Sequence, residues 1–152
     1  MKLILLCVGN LKTGLEKDLS DQYRTRLTWP FEMKEVVCRK SGSSDQIKTW
    51  EGELLLQAMQ PGSIVVGLDE QGTSLTSLEF AHVLNGYRNE GAKSLTFIIG
   101  GADGLSDSIR KRCQRLIALG RMTWPHLLVR GLLMEQIYRA QQILSGHPYH
   151  RT

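Results

Sequence analysis

The chain has 152 residues, of which 41% are hydrophobic and 22% charged, with a formal net charge of +4 at pH 7. That length is enough for one domain, 1–152, with a core of its own. The mixture excludes a disordered chain, and no apolar run approaches the length of a membrane span.

The charge is unevenly placed. From Ser108 onward there are eight Lys or Arg and one acid, Glu135, whereas the residues before it hold eleven bases and fourteen acids. Cys7, Cys38 and Cys113 are odd in number, widely spaced and form no C-x-x-C pair. They argue for a reducing, cytoplasmic setting and against a disulfide framework or a zinc knuckle.

Lys2 to Val8 is a short continuous apolar run ending at Gly9-Asn10, as in a strand buried on both faces. It is too short for a secretory leader and has no small-residue cleavage site after it. Thr13-x-x-Glu16 has the form of a capping box, followed by Leu15, Leu19, Tyr23 and Leu27 at helical spacing up to a stop at Trp29-Pro30. Glu32 to Cys38 reads as a second strand and Arg39 to Ser44 as a loop. Ser43-x-x-Gln46 caps a helix bearing Ile47, Trp50, Leu54 and Leu55. After the Pro61-Gly62 turn, Ile64 to Leu68 is a buried strand expected to end in a turn at Gln71-Gly72.

Thr76-x-x-Glu79 opens a helix carrying Phe80, Val83, Leu84 and Tyr87. Ser94 to Ile99 is the next strand, Ser106 to Arg112 a short basic helix and Arg115 to Leu119 the last strand. His126 to Ser145 is the longest helix, closed by Gly146 with Pro148 beyond. Its core stripe is Val129, Leu133, Ile137, Ala140 and Leu144. Further apolar residues at Leu128, Leu132, Met134 and Tyr138 imply cover on more than one side. Gly131 inside it permits the close approach of a neighbour or is tolerated drift. Strands alternating with helices give an α/β fold with a mostly parallel sheet, whose ligands sit beyond the carboxyl ends of the strands.

Three features carry candidate chemistry. The Gly100-Gly101-Ala102-Asp103-Gly104 turn can cradle a ligand, although it is neither the G-x-G-x-x-G fingerprint nor a P-loop. Arg110, Lys111, Arg112, Arg115, Arg121, Arg130 and Arg151 form a phosphate-binding surface or a solvated face. The tail His147-Pro148-Tyr149-His150-Arg151 offers a ring to stack on a base, imidazoles to move a proton and a guanidinium for phosphate. His147-x-x-His150 lacks the further ligands of a metal site. His126, at the entry to the long helix, is either a helix-entry residue or a functional one.

These residues carry a resemblance. Ile98-Ile99-Gly100-Gly101-Ala102-Asp103-Gly104-Leu105, Leu119 with Thr123-Trp124-Pro125-His126, Arg130, Glu135-Gln136 with Tyr138-Arg139-Ala140, and the tail resemble the bacterial ribosomal large-subunit RNA methyltransferase H family, of the SPOUT or α/β-knot class. Val8-Gly9, Leu68-Asp69 and the overall length agree, so the resemblance covers the chain.

The resemblance implies a homodimer with a C-terminal trefoil knot, a rare exception to ordinary connection rules. It implies S-adenosylmethionine held by loops at Leu68, at Gly100 and at Leu119, Gly120, Arg121, Met122, Thr123 and Trp124. Arg121 departs from the small or polar residues common there, so contact at that position is expected through backbone. The implied acceptor is N3 of a pseudouridine in 23S ribosomal RNA of the assembled ribosome, with no metal and no membrane. Methyl transfer needs positioning and a route for the N3 proton. Tyr149 and His150 are expected near the target base, with Glu135 as a second candidate for the proton acceptor or as the partner of Arg139. Arg151, Arg130 and His126 are expected on the RNA side. The rival readings are a non-catalytic ribosome-associated RNA-binding factor and a nucleotide- or NADP-binding enzyme using Gly100 and Arg121.

Overall fold

The computed structural model describes residues 1–151; Thr152, the last residue of the expected domain, lies outside them. In chain order the elements are β1 (Lys2–Val8), α1 (Leu15–Arg24), β2 (Phe31–Val36), α2 (Ser44–Ala58), β3 (Ile64–Ser74), α3 (Ser77–Asn89), β4 (Ser94–Ile99), α4 (Asp107–Arg112), β5 (Arg115–Ala118) and α5 (His126–Leu144). The five strands form one sheet in the order β2-β1-β4-β3-β5, and each neighbouring pair is parallel.

The two faces of the sheet are read off the alternation of its strands. Leu3, Leu5 and Cys7 of β1 join Val66, Leu95, Phe97 and Ile117 under α3 and α5, against Phe80, Leu84, Leu133 and Ile137. Leu6 and Val8 join Val65 and Ile98 on the opposite face, against Leu55 of α2 and Ile109 of α4. The sheet is therefore covered on both sides, as its near-continuous apolar strands require.

The two capping boxes at Ser43/Gln46 and Thr76/Glu79 both form, with side chain and backbone bonded reciprocally. The one expected at Thr13 does not. α1 starts after Gly14, whose φ of 150° suits glycine, and no side chain caps it. Leu15 is 85% exposed and so leaves the expected apolar stripe. α1 ends at Arg24, before Trp29-Pro30. The connection beyond is held by Gln141 of α5, whose Oε1 accepts from the Thr28 amide at 2.9 Å and the Thr28 hydroxyl at 3.0 Å.

The turn expected at Gln71-Gly72 is strand instead. β3 runs on to Ser74 with a register shift between Leu68 and Thr73, and β5 pairs with both stretches. A Cβ on Gly72 would lie 2.6 Å from the Ile117 amide nitrogen, so glycine there lets the two backbones meet. Gly131 is also explained: a Cβ would come within 2.5 Å of the Leu19 side chain, so α1 packs directly on α5. Gly146 ends α5 with φ 70°, and the His147 amide donates back to the Gln142 carbonyl at 3.0 Å.

Candidate active site

Leu68 to Glu70, at the register shift inside β3, and the carboxyl ends of β4 and β5 open into a cleft of about 540 Å³. Its floor and walls are Leu68, the Gly100–Leu105 turn, Ile117 to Gly120, and Met122 to His126. The three stretches read from the sequence as loops thus meet in one place, the first of them inside β3 rather than beyond it. The other two are there because a parallel strand must hand over to a crossover at that edge.

The turn after β4 is tight. A Cβ on Gly100 would meet the Gly104 backbone at 2.7 Å, and the Gly104 amide donates to the Gly101 carbonyl at 3.1 Å. Glycine at 100 therefore lets the two ends of the turn meet. The loop after β5 is held from two sides. Thr123 Oγ1 donates to Glu70 Oε2 at 3.0 Å, and the Trp124 indole donates to the Leu119 carbonyl at 3.0 Å.

Apolar surface from Leu68, Ile99, Leu105, Met122 and Val129 alternates with Asp69, Glu70, Asp103, Arg110, Thr123 and His126. Asp69 is buried and accepts from Arg110 Nε at 2.8 Å and from the Gln71 amide at 2.9 Å. Arg121 alone among the expected loop residues does not line the cleft, and it lies exposed. Of the two features on which the nucleotide- or NADP-binding reading rested, Gly100 lines the cleft and Arg121 does not.

His126 lines the same cleft at the start of α5. Burial, then the charge of Arg130, holds its imidazole below the ordinary histidine range.

A second groove of about 480 Å³ shares Ile117 to Gly120 and Trp124 with the first. Its other wall is Leu75, Phe80, Leu132, Glu135 and Gln136. The tail folds back onto this side of α5. Glu135 Oε1 accepts from Arg139 Nε at 2.9 Å and from the Tyr149 hydroxyl at 3.1 Å, while its Oε2 accepts from Gln136 Nε2 at 2.7 Å. Arg139 lies 4.8 Å over the Tyr149 ring and its Nη1 is 3.4 Å from His150 Nδ1. The Tyr149 ring also meets Tyr138 edge-on at 4.9 Å. Burial, followed by a hydrogen bond with Tyr23 and the charge of Glu135, pushes the Tyr149 phenol well above its ordinary range. The structure thus gathers Glu135, Tyr149 and His150 around one guanidinium, Arg139, which the sequence had offered only as a helix-surface partner. Arg151 is exposed. The His147 Nδ1 accepts from the Tyr149 amide at 3.2 Å, which shapes the tail.

Arg130 requires a correction. It was expected on the RNA side, but it is 0% exposed. Its Nη1 reaches Glu35 Oε1 at 2.5 Å and its Nη2 reaches the carbonyls of Val8 and Gly9, each at 2.7 Å. A guanidinium that is wholly buried and spends both terminal nitrogens on a carboxylate and two carbonyls is not presented to phosphate. Arg110 is likewise held by Asp69. The exposed cations of this end are Lys111, Arg112, Arg115, Arg121 and Arg151. Among the described residues no group of three or more His, Cys, Asp or Glu can hold a metal ion, and no helix is long and apolar enough to cross a membrane.

A parallel sheet with a cleft over three adjacent strands at their carboxyl side, and a glycine turn forming one wall, defines the class of α/β proteins that bind a ligand there. The comparisons sharpen that class. A model of the predicted SPOUT methyltransferase family matches residues 1–150, and the chain belongs to that family. It is 52% identical over 152 residues, the full length of both chains, to a protein from Rhodospirillum centenum named ribosomal RNA large subunit methyltransferase H. Among solved structures, a probable methylase family protein from Haemophilus influenzae superimposes with a TM-score of 0.59 at 13% identity, covering 99% of this chain and 70% of that one. A putative methyltransferase from Legionella pneumophila, solved with bound SAM, superimposes with a TM-score of 0.50 at 11% identity, covering 93% of this chain and 66% of that one.

Proposed function

We propose that this protein methylates N3 of a pseudouridine in 23S ribosomal RNA, on the assembled ribosome, using S-adenosylmethionine. The observation that supports it most is the convergence of three stretches of chain, at Leu68, Gly100 and Leu119 to Trp124, on one cleft, in a chain that matches a ribosomal RNA methyltransferase over its whole length.

The residues present fit this cofactor. The cleft offers apolar surface for a flat base, close backbone approach at the glycine turn, and Asp69, Glu70 and Asp103 against a single lining Arg, which suits a cationic ligand. When bound, S-adenosylmethionine supplies an electrophilic methyl group on a sulfonium. This chain's contribution is to bind, orient and handle a proton. Leu68, Gly100, Leu119, Gly120, Met122, Thr123 and Trp124 hold the cofactor, with the backbone of Arg121 completing the loop. Tyr149 and His150 face the acceptor base. Glu135 is fully occupied by Arg139, Tyr149 and Gln136. It therefore serves better to orient the tail than to accept the N3 proton, a role that falls to His150. Arg151 and the exposed cations contact phosphate, and His126 stands between cleft and acceptor.

The working unit is a cytoplasmic homodimer. Met122 is 73% and Trp124 40% exposed beside the second groove, an apolar surface that a second copy would cover. β5 lies beside β3 and α5 returns between α1 and α3, a path suited to the family's C-terminal knot. Incubation of purified protein with labelled S-adenosylmethionine and intact ribosomes tests the reading. Label in the large-subunit RNA is expected. Cofactor binding without transfer to any ribosomal substrate would favour the non-catalytic factor.

A further inference from the structure

Glu51 lies on α2, behind the glycine turn, and is 9% exposed. A Cβ on Gly101 would sit 2.6 Å from its Oε2 and 2.8 Å from its Oε1, so the carboxyl group fills the space that a side chain at 101 would take. Its Oε2 is buried without a hydrogen-bond partner. It takes part in none of the ion pairs among the described residues.

The surroundings do not compensate the charge. Asp103, in the same turn, adds a second negative charge, while the Gly101 backbone offers a partial opposing hydrogen bond. Ser106 and Ser108, which approach α2 at Gly52, bond to each other at 2.9 Å. Arg110 of α4 is committed to Asp69. Burial first, and Asp103 second, raise the carboxyl above its ordinary range. A buried carboxylate without a partner is costly, and here it is pressed against the wall of the ligand cleft.

We propose that Glu51 is a specificity-determining residue for the cofactor: its unpaired carboxylate, with Asp103, makes the cleft prefer the sulfonium cofactor over the thioether product. The inference rests on the S-adenosylmethionine reading above. The two ligands differ by one positive charge. A cation beyond the turn supplies the countercharge that Glu51 lacks, and the thioether does not. The field that favours entry of the cofactor therefore weakens retention of the product. The same coupling makes sulfonium binding release a proton from Glu51 wherever its carboxyl is still partly protonated, with less release for the thioether.

The test is calorimetry of the full-length protein with S-adenosylmethionine and with S-adenosylhomocysteine, in buffers of differing ionisation enthalpy. In Glu51→Gln the ratio of the two affinities should shift against the sulfonium by on the order of three- to tenfold, and the extra proton release should vanish. Asp103→Asn should shift the ratio in the same direction by less, and decides the matter if Glu51→Gln does not fold. An unchanged ratio, or an equal loss of both ligands, overturns the inference while leaving the cofactor reading intact. A wild-type protein that binds neither ligand overturns both.

Discussion

The buried Arg130 guanidinium on α5 meets the partly exposed Glu35 carboxylate on β2 at 2.5 Å, across 95 residues of chain. The same side chain holds the Val8 and Gly9 carbonyls, and Glu35 also accepts the Leu11 amide at 2.7 Å. One residue thus fastens the C-terminal helix to the ends of the first two strands. Arg130→Met should cost about 2 kcal/mol, mainly because it removes the side-chain partner of the buried Val8 carbonyl, while Glu35 keeps the Leu11 amide and access to water. Urea unfolding should show a lower midpoint with an unchanged slope. An unchanged midpoint would restore Arg130 as a candidate for RNA.

Tyr149→Phe removes the hydroxyl that donates to Glu135 at 3.1 Å and keeps the ring against Tyr138. If the tail handles the acceptor base, transfer to ribosomes should slow by roughly a hundredfold, with cofactor affinity and melting temperature nearly unchanged. A matching loss of cofactor affinity would place Tyr149 in the cofactor's hold instead.

Trp124→Phe keeps an aromatic ring but loses the 3.0 Å bond to the Leu119 carbonyl. The loop after β5 should loosen, and the affinity for S-adenosylmethionine should fall by about three- to tenfold, the worth of one hydrogen bond. Calorimetry measures it directly. Unaltered affinity would mean that Thr123 and Glu70 hold the loop alone.

His126 gives a pH prediction. Its folded value lies below 6.5 because of burial and then Arg130. Folding therefore favours the neutral imidazole. The stability this contributes is full above the unfolded value and is lost as pH falls towards the folded one. As pH falls below the ordinary histidine range, the melting temperature of the wild type should fall more steeply than that of His126→Gln. Parallel curves would show that the ring is not held neutral.

The sequence disclosed most where the physics is local. The boxes at Ser43/Gln46 and Thr76/Glu79 need only four consecutive residues, and both form. The strand ends at Ile99 and Ala118 and the irregularity after Leu68 follow apolar runs, so the cleft was legible as three stretches of chain before its shape was known, although β3 goes on to Ser74. Long-range relations were not legible. Arg130 and the exposed Arg151 are alike in sequence, and only packing buries the first. Gly72 looks like a turn because the β5 backbone that needs its missing side chain is 45 residues away. Glu51 lies between Ile47 and Leu55 on the apolar side of α2, yet nothing nearby in the sequence predicts that the turn at Gly101 will close over it. Thr13 failed for a local reason, since Gly14 takes the position at which the helix begins.

The central claim is tested most directly by mass spectrometry of 23S ribosomal RNA from a strain lacking this protein, with and without the restored gene. The account predicts one pseudouridine that loses a single methyl group in the deletion and regains it on complementation, and that stays unmethylated when the restored protein carries Tyr149→Phe and His150→Gln together. An identical methylation pattern in all strains would contradict it.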